Sequence, residues 1–479
     1  MQNKPFSVKK CYRYALFLMG MFLVSTSALL TPLQAEMTLT DERQLGAQFY
    51  KKLSDANRTI KNEEVSRYIE QLGIIILGGT DSSKHFFDFQ FTVVDTPTIN
   101  AFATPGGFIY INRGLITMAD SEAELAGVVA HEIAHVLHRH ISAIVAEQNR
   151  LNMATLVASI AGALLAGDMS GFIAVAGIAT ATSQTLALQY SRANEEEADR
   201  SALEYLISVG YNPLGSITFL RTMSKYDAYS GVVPSYMLTH PGTTERIAYL
   251  ERAIAFHNAS SLGITDKMGS LPKIQTLLVV GTGDAESNLH YFSDRLQKNP
   301  HNPYFLLGVA ISYARMAQID LARKYYNEAL KKSPNDGYAL REAGFFEYGV
   351  GNTDVAIAYL QRSLLVEDDE NAKTCLAQAF LQKQQFNDVL SLYANIDPAK
   401  IKNPEVFSKL AIAYGKTGNN AYSHYFFGTY FERTKEKQVA IFHYEKALTL
   451  FSTGDRLRKT AENQIAKLQQ EIAQKGRKR

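Results

Sequence analysis

The chain has 479 residues, 20% of them charged, and a formal net charge of +2. Removing residues 1–35 takes four Lys/Arg and no acid, leaving a body at −2 without the basic excess that nucleic-acid binding requires. Of the two cysteines, Cys11 falls in that segment and Cys375 stands alone in the body, which excludes an intrachain disulfide there.

In chain order, Lys4, Lys9, Lys10 and Arg13 precede an apolar run from Tyr14 to Leu30, and Leu33-Gln34-Ala35 offers a small residue for cleavage. This predicts an export signal over residues 1–35, with an uncleaved membrane anchor as the alternative. Asp41 to Leu53 and Glu63 to Leu77 have helical spacing, Asp41 being placed as a cap. Phe87, Phe89, Phe91 and Val93 alternate with polar residues, the pattern of a half-buried strand. A second strand, Asn100–Thr104, meets Pro105-Gly106-Gly107 and returns over Phe108–Asn112 as a hairpin. The strand immediately upstream of the next helix either offers an edge to an extended peptide or merely covers that helix.

That helix carries His131-Glu132-Ile133-Ala134-His135, with acids at Asp120, Glu122 and Glu124 before it and Arg139 after it. Two histidines four apart on one face can reach one metal ion, and Glu132 then sits beside its water. Zn²⁺ lowers the pKa of that water to about 7, and a carboxylate takes its proton during attack on a peptide carbonyl. Chance surface histidines would be the plain alternative, but the apolar neighbours predict a buried helix whose His and Glu need partners. The Ala/Gly-rich stretch Leu151–Leu188 reads as close-packed helices over the site, or as an amphipathic hairpin making peripheral membrane contact.

A peptidase zinc needs a third protein ligand. His138 lies on the same face as His131 but roughly 10 Å further along the axis, and no glycine follows His135 to turn the chain back. The ligand is therefore sought in Asn194-Glu195-Glu196-Glu197-Ala198-Asp199-Arg200, which opens another helix. Glu195 is assigned as ligand and Asp199 as the acceptor that orients one of the histidine rings. An acid-rich helix start would account for the three glutamates yet leave a zinc with two ligands. Thr239-His240-Pro241 puts His240 on a loop entering a helix, as a fourth ligand, an oxyanion stabiliser or a surface residue.

From about residue 284 a 34-residue period takes over: Tyr291, Tyr325 and Tyr359 recur, as do Leu296, Leu330 and Leu364. Ala310 and Gly344 share one place in the repeat, and Ala322 and Ala356 another. Helix pairs with this signature are tetratricopeptide repeats, which stack because no pair can bury its apolar face alone. They present a surface to proteins or peptides and supply no chemistry.

The HEIAH helix, the Glu195-to-Asp199 motif, the Asn100-to-Gly107 segment and His240-Pro241 with Arg246 resemble the zinc metallopeptidases that include HtpX and the CAAX prenyl protease. The resemblance implies one Zn²⁺ per chain held by His131, His135 and Glu195, with Glu132 as catalytic acid/base and Arg246 near the site. His240 would be a regulatory fourth ligand that displaces the catalytic water. The expected chain is mainly α with a small β-sheet: a gluzincin-like zinc metallopeptidase domain (36–270), a linker (271–283), an α-solenoid of tetratricopeptide repeats (284–470) and a basic tail (471–479). The implied function is a periplasmic endopeptidase that degrades misfolded or stalled envelope proteins and assists outer-membrane protein assembly. Its partners would be protein substrates and, through the repeats, the assembly machinery, with no nucleic acid. The rival is a chaperone or adaptor with a structural zinc, since a permanently four-coordinate ion hydrolyses nothing. Cys375 has no partner to cross-link the repeats, a departure from what the resemblance implies.

Overall fold

The computed structural model describes residues 37–147, 190–230, 233–256, 263–394 and 396–477. Residues 1–35, expected as an export signal, and the Leu151–Leu188 stretch lie outside them. The chain divides into two compact units, Met1–Leu278 and Val279–Arg479.

The first unit opens with α1 (Leu39–Asp55) and α2 (Glu63–Leu77). The cap of α1 is Thr38 rather than Asp41: Thr38 accepts from the Asp41 amide, and the Asp41 carboxylate accepts from the Thr38 amide at 3.3 Å. Asp41 is thus the far partner of a capping box, a role the same residue type fills one turn into a helix. Three strands follow, β1 (Gln90–Val94), β2 (Ala101–Thr104) and β3 (Phe108–Asn112). β1 begins at Gln90, so Phe87 is buried without joining the ladder. The expected hairpin forms, turning through Gly106 and Gly107 at φ near +90°.

The sheet order is β1-β3-β2, with β3 parallel to β1 and antiparallel to β2. The expectation that the strand just upstream of the metal helix offers a free edge is therefore corrected, because β3 is paired on both sides. Among the described residues β2 has β3 as its one ladder partner, and β2 is the strand that packs against the HEIAH helix.

After α3 (Arg113–Met118) comes that helix, α4 (Glu122–Leu137), capped by Ser121 and buried at every position. The side chain of Glu122, at its first turn, accepts from Tyr68 Oη at 3.1 Å, Tyr211 Oη at 2.7 Å and the amides of Lys267 and Met268 at 2.8 Å each. A buried carboxylate satisfied this fully pins the helix start. α5 (His140–Glu147) follows a break at Arg139, and then α6 (Arg192–Ser208), α7 (Leu214–Ser230), α8 (Ser235–Thr239) and α9 (Thr243–Phe256). α4 and α7 approach closely because Gly127 faces Ser216 and Gly215 faces the backbone of Ala123, where a Cβ would clash.

The segment expected as a linker contains α10 (Leu271–Val280) instead. Leu271, Ile274 and Leu278 are buried in the first unit's core, and Gln275 Nε2 donates to the carbonyls of Ile116 and Ala119. Gly269-Ser270-Leu271-Pro272 resembles a breaker, yet proline is tolerated in a helix's first turn, where no amide partner is lost.

The second unit is helical throughout its described residues apart from short connections: α11 (Ala285–Lys298), α12 (Pro303–Arg315), α13 (Ile319–Lys332), α14 (Gly337–Gly349), α15 (Thr353–Val366), α16 (Glu370–Gln382), α17 (Phe386–Tyr393), α18 (Glu405–Lys416), α19 (Asn420–Arg433), α20 (Lys437–Leu450) and α21 (Arg456–Arg477). Each packs on the next, and α12, α14, α16 and α18 also pack in succession, which makes an α-solenoid. Ala310, Ala322 and Ala356 are fully buried, and a Cβ on Gly344 would meet Leu360 at 2.7 Å. The 34-residue period therefore marks crossings where only small residues fit. α21 runs on through residues expected to form a basic tail. Cys375 is a free, half-buried thiol that burial pushes up to about 11. No helix of the described residues is long and apolar enough to cross a membrane.

Candidate metal centre

α4 supplies His131, Glu132 and His135, α6 supplies Glu195 and Asp199, and the chain between α8 and α9 supplies His240. The donor atoms of His131, His135, Glu195 and His240 all lie within 4.8 Å of one another, and all four residues are buried. His131 Nε2 is 2.9 Å from His135 Nε2 and 3.3 Å from His240 Nδ1. Glu195 Oε2 lies 3.4 Å from His131 Nε2, and Glu195 Oε1 lies 3.4 Å from His135 Nε2 and 3.0 Å from His240 Nδ1. Donors at about 2.0–2.1 Å from a tetrahedral ion stand about 3.3 Å apart, so this set fits one small divalent metal.

A second observation points the same way. Among the described residues, both carboxylate oxygens of Glu132, and His240 Nε2, are buried without a hydrogen-bond partner, although His240 Nε2 is 3.5 Å from Glu132 Oε1. Such orphaned polar atoms are rare in folded proteins and mark a place built for a ligand.

Around the donors, Asp199 Oδ1 is 2.8 Å from His131 Nδ1. Arg246 binds both Asp199 oxygens, and its Nη1 lies 2.8 Å from Glu195 Oε2. Tyr249 Oη donates to Asp199 Oδ2. Burial opposes ionisation of Glu195, but His240, Arg246 and His131 outweigh it and hold its carboxyl well below the usual range. Asp199 is held low in the same way, against its burial, by Arg246 and His131. Glu132 goes the other way: burial raises it, and His240 and His131 only partly compensate. Burial and the neighbouring His131 drive His135 well below its ordinary value, toward the neutral imidazole that a metal requires.

Tyr190 stacks on His135 with ring centroids 3.8 Å apart, and Tyr236 stacks on His240 at 4.4 Å. The Tyr236 amide donates to the Ile99 carbonyl at the approach to β2. His138 lies outside the donor cluster and bonds Ser201 Oγ at 2.8 Å instead.

Sequence reasoning passed over His140, Tyr190, Tyr236 and Tyr249. Tyr249, three residues after Arg246 on α9, could have been found by helical spacing. The other three had no such signal.

Residues 60–254 match the profile of Peptidase family M48. The chain is 26% identical over 390 residues to the "Beta-barrel assembly-enhancing protease" of Yersinia pestis, covering 80% of this chain and 79% of that protein. The protein of the same name from Escherichia coli is 27% identical over 363 residues, 74% of each chain. "Mitochondrial metalloendopeptidase OMA1" of Schizosaccharomyces pombe is 30% identical over 187 residues, 39% of this chain and 51% of that protein. With its buried donor set lying inside the matched residues, the chain carries a domain of peptidase family M48 and is a metallopeptidase.

Proposed function

We propose that the chain is a zinc endopeptidase of the periplasm that removes misfolded or stalled envelope proteins and assists outer-membrane protein assembly. His131, His135 and Glu195 hold the ion, one per chain, and His240 is a fourth donor that keeps the resting site closed. Zinc there supplies Lewis acidity and a water acidified toward neutrality. Asp199 fixes the tautomer of His131 by accepting from its Nδ1–H, leaving Nε2 free to bind. Arg246 neutralises Asp199 and Glu195 together, so that two carboxylates can be buried within one site. Glu132 moves the proton: its raised affinity for hydrogen, caused by burial, suits a base that must hold a proton and then release it to the leaving amine.

The edge of β2 is proposed as the binding place for an extended substrate, by main-chain pairing. The solenoid recruits protein partners, and the names of the Yersinia and Escherichia relatives support a role beside the outer-membrane assembly machinery. Periplasmic location rests on the basic-then-apolar pattern of residues 1–35.

The observation that carries the reading is Glu132, fully buried with both oxygens unpartnered among the described residues, beside four candidate metal donors. The test is Glu132→Gln in the full chain: cleavage of an unfolded outer-membrane protein should fall by about 10²–10⁴-fold with zinc content unchanged. A variant that cleaves like the wild type removes Glu132 from the chemistry. If neither protein cleaves while both bind unfolded protein, the adaptor reading stands.

A further inference from the structure

We propose that His140 is a positioning residue for His135, aligning its imidazole with the metal through a hydrogen-bond chain that ends on Glu197. The inference rests on the metal-centre reading above and extends it to a residue outside the donor set.

His135 Nδ1 lies 2.9 Å from His140 Nδ1, and His140 Nε2 lies 3.1 Å from Glu197 Oε2. Two ring nitrogens at that distance share one hydrogen. When His135 Nε2 gives its lone pair to a metal, the hydrogen sits on Nδ1 and must be donated. His140 then accepts at Nδ1, carries its own hydrogen on Nε2, and donates it to the Glu197 carboxylate. The reverse tautomers would aim a hydrogen from His135 Nε2 into the donor cluster and a lone pair from His140 at a carboxylate. One assignment satisfies every atom, and it is the metal-binding one. The other oxygen of Glu197 lies 3.3 Å from His138 Nδ1. The two metal histidines are thus backed differently: His131 by a carboxylate directly, His135 through a neutral imidazole.

The backbone is bent to make this contact. On an uninterrupted helix, position 140 would lie about 140° around the axis from position 135. Instead Arg139 adopts φ +55°, a left-handed conformation that side chains other than glycine adopt rarely. Side-chain bonds hold it there: Arg139 Nε and Nη2 both donate to the buried Glu42 carboxylate, Nε at 2.9 Å, and Nη2 also donates to the Met37 carbonyl at 2.7 Å. The turn swings His140 back against His135 and buries it.

The test uses the full chain, with zinc affinity measured against a chromophoric chelator and the visible spectrum of the cobalt-substituted protein as a readout of ligand geometry. His140→Phe fills the space without a nitrogen and should weaken zinc binding about 10–100-fold and alter the cobalt spectrum. His140→Gln, which keeps an acceptor, should recover part of the affinity and covers the case in which the Phe variant misfolds. Glu197→Ala should weaken binding less, and should add nothing in the His140→Phe background. Wild-type affinity and an unchanged cobalt spectrum in both His140 variants would overturn the role. Failure of the wild-type chain to take up stoichiometric metal would overturn the centre, and this inference with it.

Discussion

Arg246 grips Asp199 with two nitrogens, Nε on Oδ2 and Nη2 on Oδ1, each at 2.7 Å. Its remaining nitrogen stands beside Glu195, so one planar cation serves two buried carboxylates. Lysine keeps the charge but has no fork with which to reach both. Arg246→Lys should lower zinc affinity about 10–100-fold and destabilise the fold by about 1–3 kcal/mol, the cost of leaving a buried carboxylate oxygen without its hydrogen bond. Chelator competition and urea unfolding check both; wild-type affinity would show that charge alone suffices.

His240, proposed as the fourth donor, stacks on both Tyr190 and Tyr236. His240→Ala should retain zinc and cleave unfolded protein several-fold faster, because the site then keeps an open position. Zinc content and peptide cleavage are the measurements. A fall in cleavage at full zinc content would assign His240 to oxyanion stabilisation instead.

In the solenoid, the α12–α13, α14–α15, α16–α17, α18–α19 and α19–α20 turns each pass through a left-handed residue: Ala317, Gly351, Gln384, Gly418 and Lys435. Only glycine takes that conformation without steric cost. Gln384→Gly should therefore stabilise the second unit by about 0.5–1 kcal/mol, and Gly351→Ala should destabilise it by about 1–2 kcal/mol. Denaturant midpoints followed by helical signal decide; equal midpoints would mean the turns relax freely.

His424 and His443 face each other across α19 and α20 with their Nδ1 atoms 3.0 Å apart, packed by Phe427 and Phe431 and near Lys446. Burial, then Lys446, lowers His424, while burial, then His424, lowers His443. The unfolded chain binds these protons more readily, so stability rises with pH across the window from the depressed values up to about 6.5. The contribution is complete above that window and is lost as pH falls through it. Melting temperature should drop between pH 7.5 and 5.5 more in the wild type than in a His424→Gln, His443→Gln double variant. Equal drops would place the acid sensitivity elsewhere.

Much of this was legible in the residues themselves. The spacing of His131 and His135 is a local fact of a helix, and the 34-residue period announces its own stacking. That strands in this stretch and a helical solenoid follow from alternation and repeat shows how far periodicity reaches. What it could not carry is long-range geometry. The sheet order depends on where β1 docks, which no hairpin signal encodes. The swing of His140 hinges on Arg139, a left-handed residue that is not glycine and so leaves no mark in the sequence. The α10 helix was hidden behind Gly269 and Pro272, residues that speak of a break until the apolar face behind them finds a core.

On the proposed docking edge, the central place of β3 would limit what can be processed. With the inner strand of the described sheet saturated on both flanks, the proposed substrate would enter near α4 as one more strand laid along β2. A folded domain has no loose backbone to lay there, whereas a chain that has failed to close its own barrel is all loose backbone. Discrimination would then come from the client's unmet pairing rather than from any residue beside the cut.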